Sequence, residues 1–229
     1  MSRKTVTLHL VLVGSAATKN TPRLRLLSKP APNVTDVEVG SAVEKLSDAQ
    51  LVILLKNGEQ AAFERLYRRH AGFAINLAVR VQGSTTDVED LVHDAFLKTH
   101  ERVADLREPA AFRSWLGSIV VMLVRGRLRR RRLLGNLGLQ QGDAIDLDAL
   151  ASAEASPEQR AQLAQVYALL QTLPTDERIA WTLRVLEHHP LDQVAELSGC
   201  SLATAKRRVS RAQRFLAENF VSPLSEDGQ

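Results

Sequence analysis

From Ser47 onward apolar residues recur at helical spacing, and short polar punctuation divides the chain into successive amphipathic stripes. Ser47 and Gln50 have the spacing of a capping box ahead of the apolar run Leu51 to Leu55, and Asn57-Gly58 closes that helix. A second stripe carries Phe63, Leu66, Tyr67, Phe73, Ala74 and Leu77, leaves Arg65, Arg68 and Arg69 off the face, and stops near Gln82-Gly83. Thr86 and Glu89 suggest another capping box, opening a helix whose stripe is Val88, Leu91, Val92, Ala95, Phe96 and Thr99. After a polar loop from Asp105 to Pro109, the residues Phe112, Trp115, Leu116, Ile119, Val120, Leu123 and Val124 define the next apolar face. Ser156-Pro157-Glu158 starts a further helix, with Leu163, Val166, Tyr167, Leu169 and Leu170 as its stripe. Leu173-Pro174 breaks it, and Thr175 is predicted to cap a helix carrying Ile179, Ala180, Leu183, Val185 and Leu186. The body of the chain shows no strand pattern, so the predicted fold is all-α.

Pro190 to Phe220 reads as two short helices around a tight turn. Leu191, Val194, Ala195 and Leu197 recur at helical spacing until Ser198-Gly199, where the chain needs a residue tolerant of left-handed φ. Ser201 is the expected N-cap of the following helix, whose stripe is Leu202, Ala205, Val209, Ala212 and Leu216. At about 100° per residue, Arg207, Ser210, Arg211 and Arg214 fall on the opposite side, flanked by Thr204 and Lys206. Forked guanidinium groups on an acid-free face suit phosphates and base edges, so these six residues are the candidate DNA contacts of a helix-turn-helix.

Charge sharpens this picture elsewhere. The helix from Phe112 runs into Arg125, Arg127, Arg129, Arg130, Arg131 and Arg132, more cations than a helix end needs to complement its dipole. A polyanion accounts for them better, which makes Arg125, Arg127, Arg129 and Arg130 further DNA candidates. The helix after Thr86 points Asp87, Asp90 and Asp94 outward; the first two sit in a first turn where acids favour the macrodipole, whereas Asp94 lies further in. Between these lobes, residues 134–157 turn to Gly, Gln, Asp and Ala, the composition of a flexible, acidic linker. The organisation predicted is an N-terminal extension over 1–46, a first helical domain over 47–133, the linker over 134–157, a second helical domain over 158–220 and a tail over 221–229.

The chain has 229 residues with 45% hydrophobic and 4% aromatic content, enough for two helical domains with cores. Net charge is +4, so local sign matters more than the sum. The 1 cysteine, Cys200, excludes an internal disulfide and a cysteine zinc site, fits a reducing cytoplasm, and is expected to pack in the turn. Adjacent His188 and His189 lack metal-ligand spacing, and no cofactor is expected. No Ser/His/Asp pattern, metal cluster or phosphate-cradling glycine loop is present, Gly14 to Thr21 included, so no enzyme activity and no small-molecule substrate are expected. Residues 1–46 lack a sustained period and read as a disordered extension. Arg3-Lys4 before Val6 to Val13 gives only a short, broken resemblance to a signal peptide, and initiation near Val39 or Val43 is an alternative.

Taken in order, FERLYRRH (Phe63 to His70), DVEDLVHDAFLKTH (Asp87 to His100), FRSWL (Phe112 to Leu116), the arginine run, LPTDER (Leu173 to Arg178) and the helix-turn-helix resemble the extracytoplasmic-function sigma factors of bacterial RNA polymerase. The resemblance spans roughly Leu51 to Phe220. It implies that residues 47–133 bind core polymerase and the downstream promoter element, and that residues 158–220 read the upstream element. It gives Asp87, Asp90 and Asp94 a polymerase-docking role, assigns Thr204, Lys206, Arg207 and Arg211 to the recognition helix, and makes promoter DNA and an anti-sigma factor expected partners. Where such proteins carry a polar helix after the WL pair, this chain has Val121, Met122 and Gly126, which puts strand opening at the usual sequence in question. Two alternatives remain on the sequence: a sigma-like regulator that binds duplex without opening it, and a module that only engages polymerase or an anti-sigma protein.

Overall fold

The computed structural model describes residues 46–138, 144–152 and 154–220, and in these it is helical without strands. The extension predicted over 1–46, apart from Leu46, and the tail over 221–229 lie outside the described residues, as do 139–143 and Ala153 of the predicted linker. The helices are α1 (Asp48–Lys56), α2 (Gln60–Gln82), α3 (Val88–Arg102), α4 (Phe112–Asn136), α5 (Leu147–Leu150), α6 (Pro157–Thr172), α7 (Thr175–Trp181), α8 (Leu191–Leu197) and α9 (Leu202–Asn219).

The first lobe is α1 to α4. Ser47 and Gln50 form the predicted capping box at the start of α1, which buries Leu51, Val52 and Leu55 against α2. The innermost line of α2 is Ala62, Leu66, His70, Ala74, Leu77 and Val81; Phe63 and Tyr67 sit beside it, with ring centroids 6.3 and 4.6 Å from that of Phe96 on α3. α2 stops at Gln82 as the pattern predicts, and Gly83 follows at φ 76° as a left-handed cap. The Thr86–Glu89 capping box does not form. Asp87 instead occupies the N-cap at φ 53° without a side-chain bond, one residue later than the box requires, and the Gln82 amide reaches over the turn to donate to the Thr86 carbonyl at 2.7 Å. The α3 stripe, from Val88 to Thr99, is buried as the periodicity predicts.

The second lobe is α6 to α9. Ser156 and Gln159 box the N-terminus of α6, with Pro157 at its first position, and Leu163, Val166, Tyr167 and Leu170 are buried. Pro174, not Thr175, is the N-cap of α7, and Thr175 makes no capping bond there. After Trp181 the helix widens into a π-helical turn over Thr182–Leu186, and the chain reverses through His188 at φ 58° into α8. Gly199 turns at φ 57° and Ser201 accepts from the Thr204 N–H to start α9, as predicted. Ala205, Ala212 and Leu216 are the buried residues of its stripe, whereas Leu202, in the first turn, is 54% exposed.

The two lobes are packed on each other. Ile179, Ala180, Leu183, Val194, Ala195, Leu197 and Ala205 join the core of the first lobe, while Leu163, Tyr167, Leu170, Trp181 and Leu216 belong to a separate cluster. Helix α4 continues to Asn136, into the predicted linker, and the described part of that linker folds as the single turn α5. Asp146 accepts from the Ala149 N–H at its start and from the Thr85 hydroxyl at 2.6 Å across to the first lobe. The Thr85 hydrogen bond holds the Asp146 carboxyl below the usual carboxylate range. No helix among the described residues is long and apolar enough to cross a membrane.

Candidate nucleic-acid interface

Helix α9 presents its cations as the periodicity predicts. Lys206, Arg207, Ser210, Arg211 and Arg214 are exposed, and Thr204 is half-buried at the first turn. The Thr204 hydroxyl lies 2.9 Å from the cap oxygen of Ser201 and 3.3 Å from an Arg207 nitrogen, so the cap, the threonine and the first guanidinium form one short chain. Arg211 approaches Glu177 at 3.6 Å while its side chain stays mostly in solvent. Arg208, on the flank nearer the core, donates to Asp176 at 2.8 Å. Cys200 is half-buried in the turn and packs against the core, as expected of a small apolar side chain.

The arginines of α4 are less available. Arg125 donates to the Ser198 carbonyl at 2.5 Å and lies 3.1 Å from Asp176 as an ion pair. Arg129 donates to Asp176 at 2.9 Å, Arg132 to the Leu173 carbonyl at 2.9 Å, and Arg127 to the Asp87 carbonyl at 2.6 Å. Of the four α4 candidates, Arg130 alone is exposed without a hydrogen bond or ion pair among the described residues. Towards the N-terminus of α4, the Ser114 hydroxyl donates to Glu196 at 2.9 Å, and a Cβ at Gly117 would lie 3.0 Å from Leu197. Ser114, Gly117, Arg125, Arg129 and Arg132 therefore form a row that faces the second lobe, with Val121, fully buried, in the same row and Arg129 and Arg132 still exposed at its far end. Met122 is 43% exposed and Gly126 borders open space.

The acidic candidates divide. Asp90 and Asp94 are exposed one turn apart on the outer side of α3, and neither forms an ion pair or side-chain hydrogen bond among the described residues. Asp87 instead sits at the end of α3 nearest the arginine run, 3.7 Å from Arg131. The residue that sequence reasoning missed is Asp176. An acid in the first turn of α7 reads as a dipole complement, and its partners Arg125, Arg129 and Arg208 are distant in sequence. Among the described residues no group of three or more His, Cys, Asp or Glu could hold a metal ion.

The chain is similar to known proteins. Residues 66–133 match the family Sigma-70 region 2, and residues 163–216 match Sigma-70, region 4. The ECF RNA polymerase sigma-E factor of Haemophilus influenzae is 28% identical over 188 residues, 79% of this chain and 98% of the relative. Its namesake in Escherichia coli strain K12 is 29% identical over 188 residues, 79% and 97%. The chain belongs to the extracytoplasmic-function sigma factors of the sigma-70 family. As such it is a promoter-directing initiation factor that works with core RNA polymerase on promoter DNA, and it is not an enzyme. Among solved structures, CnrH in complex with the cytosolic domain of CnrY superposes with TM-score 0.51 at 27% identity, over 75% of this sigma factor and 95% of that chain. RpoE of Bartonella quintana, in complex with the anti-sigma factor NepR, gives TM-score 0.53 at 23% identity over 68% and 94%, a likeness of fold.

Proposed function

We propose that the two lobes divide the work of this sigma factor, with residues 47–133 docking on core polymerase and meeting the downstream element while residues 158–220 read the upstream element. The observation that carries this is the separation of charge: the exposed carboxylates of Asp90 and Asp94 lie on the outside of α3, and the exposed cations of α9 lie on the other lobe. Asp90 and Asp94 supply polymerase contact, with Asp87 at its edge. Thr204, Lys206, Arg207, Ser210, Arg211 and Arg214 supply duplex contact; an arginine paired to guanine through both nitrogens discriminates by about 1–3 kcal/mol. Arg125, Arg127, Arg129 and Arg130 neutralise phosphates near the downstream element. The chain acts in the cytoplasm, where polymerase and promoter are, and an anti-sigma protein restrains it, as CnrY and NepR partner the two neighbouring structures.

Run-off transcription with purified core polymerase on fragments from the gene's own upstream region tests the reading. Selective initiation is the expected result; failure to join core polymerase, or joining without selectivity on any template, overturns it. A second reading, duplex recognition without strand opening, is favoured by one observation: Val121 is buried and Met122 and Gly126 offer no polar group where bases would be gripped. Permanganate footprinting on a responsive promoter separates the two, because unpaired thymines react only if the strands part.

A further inference from the structure

The first turn of α7 carries two acids, Asp176 and Glu177, and each faces an arginine of α9. Acids there complement the helix dipole, which accounts for their presence but not for their partners. Arg208 donates to Asp176 at 2.8 Å and is held at the flank of α9. The Glu177 carboxylate, only 16% exposed, lies 3.6 Å from Nη1 of Arg211, whose side chain is 68% exposed. The acid is thus fixed in the body of the lobe while the guanidinium it faces reaches into solvent. Arg207 is held in a comparable way: its Nη2 donates to the Thr204 hydroxyl at 3.3 Å, and that hydroxyl lies 2.9 Å from the cap oxygen of Ser201. Arg214 and Lys206 share the exposed side of α9 and form no hydrogen bond or ion pair among the described residues. The cations of this side therefore fall into two kinds, those held by a neighbour and those that turn freely.

We propose that Glu177 and Thr204 are positioning residues for sequence recognition: they pre-set the guanidinium groups of Arg211 and Arg207 as the base-reading pair and leave Arg214 and Lys206 to the phosphates. The proposal rests on the reading that α9 contacts the upstream element. Bidentate recognition of a base edge needs two N–H groups in one plane at a fixed angle, so a guanidinium constrained before DNA arrives loses less freedom on binding and keeps more of the contact's discrimination. A phosphate is satisfied by a point charge, for which a freely turning cation suffices. The sign of the charge on Glu177 makes its role separable from a general one. A carboxylate beside a DNA-facing arginine repels every duplex alike, so removing it favours binding of any sequence. A loss confined to the preferred sequence then comes through Arg211. Thr204 carries no charge, and its hydroxyl reaches Arg207 from within the same helix, so the two holds are independent of each other.

The test presents the full chain, bound to core polymerase, with a pool of random-sequence duplexes and sequences the bound fraction. The parent is expected to select a preferred sequence, and Arg211→Ala to lose the preference at the base pairs that Arg211 reads. Glu177→Gln, which keeps the size of the side chain, is expected to lose about tenfold of the preference at those same base pairs while binding the rest of the pool at least as well. In an Arg211→Ala background it is expected to change nothing further. Thr204→Val should act in the same way on the base pairs of Arg207, with Thr204→Ser restoring the parent's preference. Arg214→Ala is expected to weaken all sequences alike. Glu218→Gln, at an exposed acid near the end of α9, controls for net charge and is expected to keep the parent's preference. Glu177 and Thr204 lie on different helices, so the proposal does not depend on one variant folding. An unchanged preference in both Glu177→Gln and Thr204→Val overturns it, as does an equal loss from Glu218→Gln. A loss from Glu177→Gln that persists in the Arg211→Ala background marks a merely structural acid and overturns it too. A parent that selects no sequence at all overturns the underlying reading of α9 and the proposal with it.

Discussion

Gly83→Ala is the substitution whose effect the structure specifies most fully. Gly83 sits at φ 76°, and a Cβ there would lie 2.9 Å from both Cδ1 of Tyr167 and Nη2 of Arg178. The Arg178 end could swing away, but the Tyr167 ring is fully buried and tied by its hydroxyl to the Arg80 carbonyl at 2.9 Å, so the ring cannot yield alone. Left-handed backbone costs a residue with a Cβ about 1–2 kcal/mol. Overpacking at a fixed ring adds about 1–3 kcal/mol. Gly58 provides the comparison, since it has φ 92° and nothing within 4 Å of its would-be Cβ, so Gly58→Ala carries the backbone cost alone. Thermal unfolding should place Gly58→Ala about 2–8 °C below the parent, at about 2–4 °C per kcal/mol, with Gly83→Ala clearly lower again. Equal shifts for the two variants would show that the ring relaxes freely, and the tight seat of Gly83 between the lobes would be refuted.

Four further outcomes follow from individual residues. Replacing Asp90 and Asp94 together with Asn should weaken core polymerase binding about tenfold in a salt-sensitive manner, measured by native gel or anisotropy, while thermal stability changes little because both side chains are exposed. Arg207→Ala with Arg211→Ala should weaken binding to upstream-element duplex and flatten the salt dependence by about 1 in slope for each phosphate no longer neutralised. Burial of His70 outweighs the opposing pull of Asp48, whose carboxylate lies 2.8 Å away, and lowers the imidazole pKa from 6.5. The unfolded chain then takes up that proton at a pH where the folded chain refuses it. Stability should therefore be level above pH 6.5 and decline as pH falls below it towards the lowered folded value; His70→Gln, which retains a donor for Asp48, should remove that decline in urea titrations. Gly126→Ala, with open space around the new methyl, should stabilise α4 by about 0.5–1 kcal/mol in the same titrations.

The features legible in the sequence were those decided within a few residues. The caps at Ser47 and Ser201 and the turn at Gly199 depend on neighbours one turn away and form as their spacing predicts, and the helices start at Pro157 and stop at Gln82 as read. Thr86 and Glu89 had equally good spacing but formed no box, because the helix starts one residue later, with Asp87 at the N-cap in the left-handed region. The exposed cations of α9 could be placed by angle alone. The arginine run of α4 could not, since its carbonyl and carboxylate partners at Asp176, Ser198 and Leu173 come from the other lobe, and no local pattern announces them. Charge on a helix surface shows that anions are wanted there; whether the chain itself provides one is a question of tertiary contact.

The π-helical turn over Thr182–Leu186 has a consequence for how such a protein can change. A π turn is a helix with one residue more than α winding needs. Because the wider turn takes up its additional residue locally, deleting one there would restore α winding and leave the segments downstream close to their present orientation. The segment between Trp181 and α8 is thus a place where the chain can lose one codon while α9 keeps its aim.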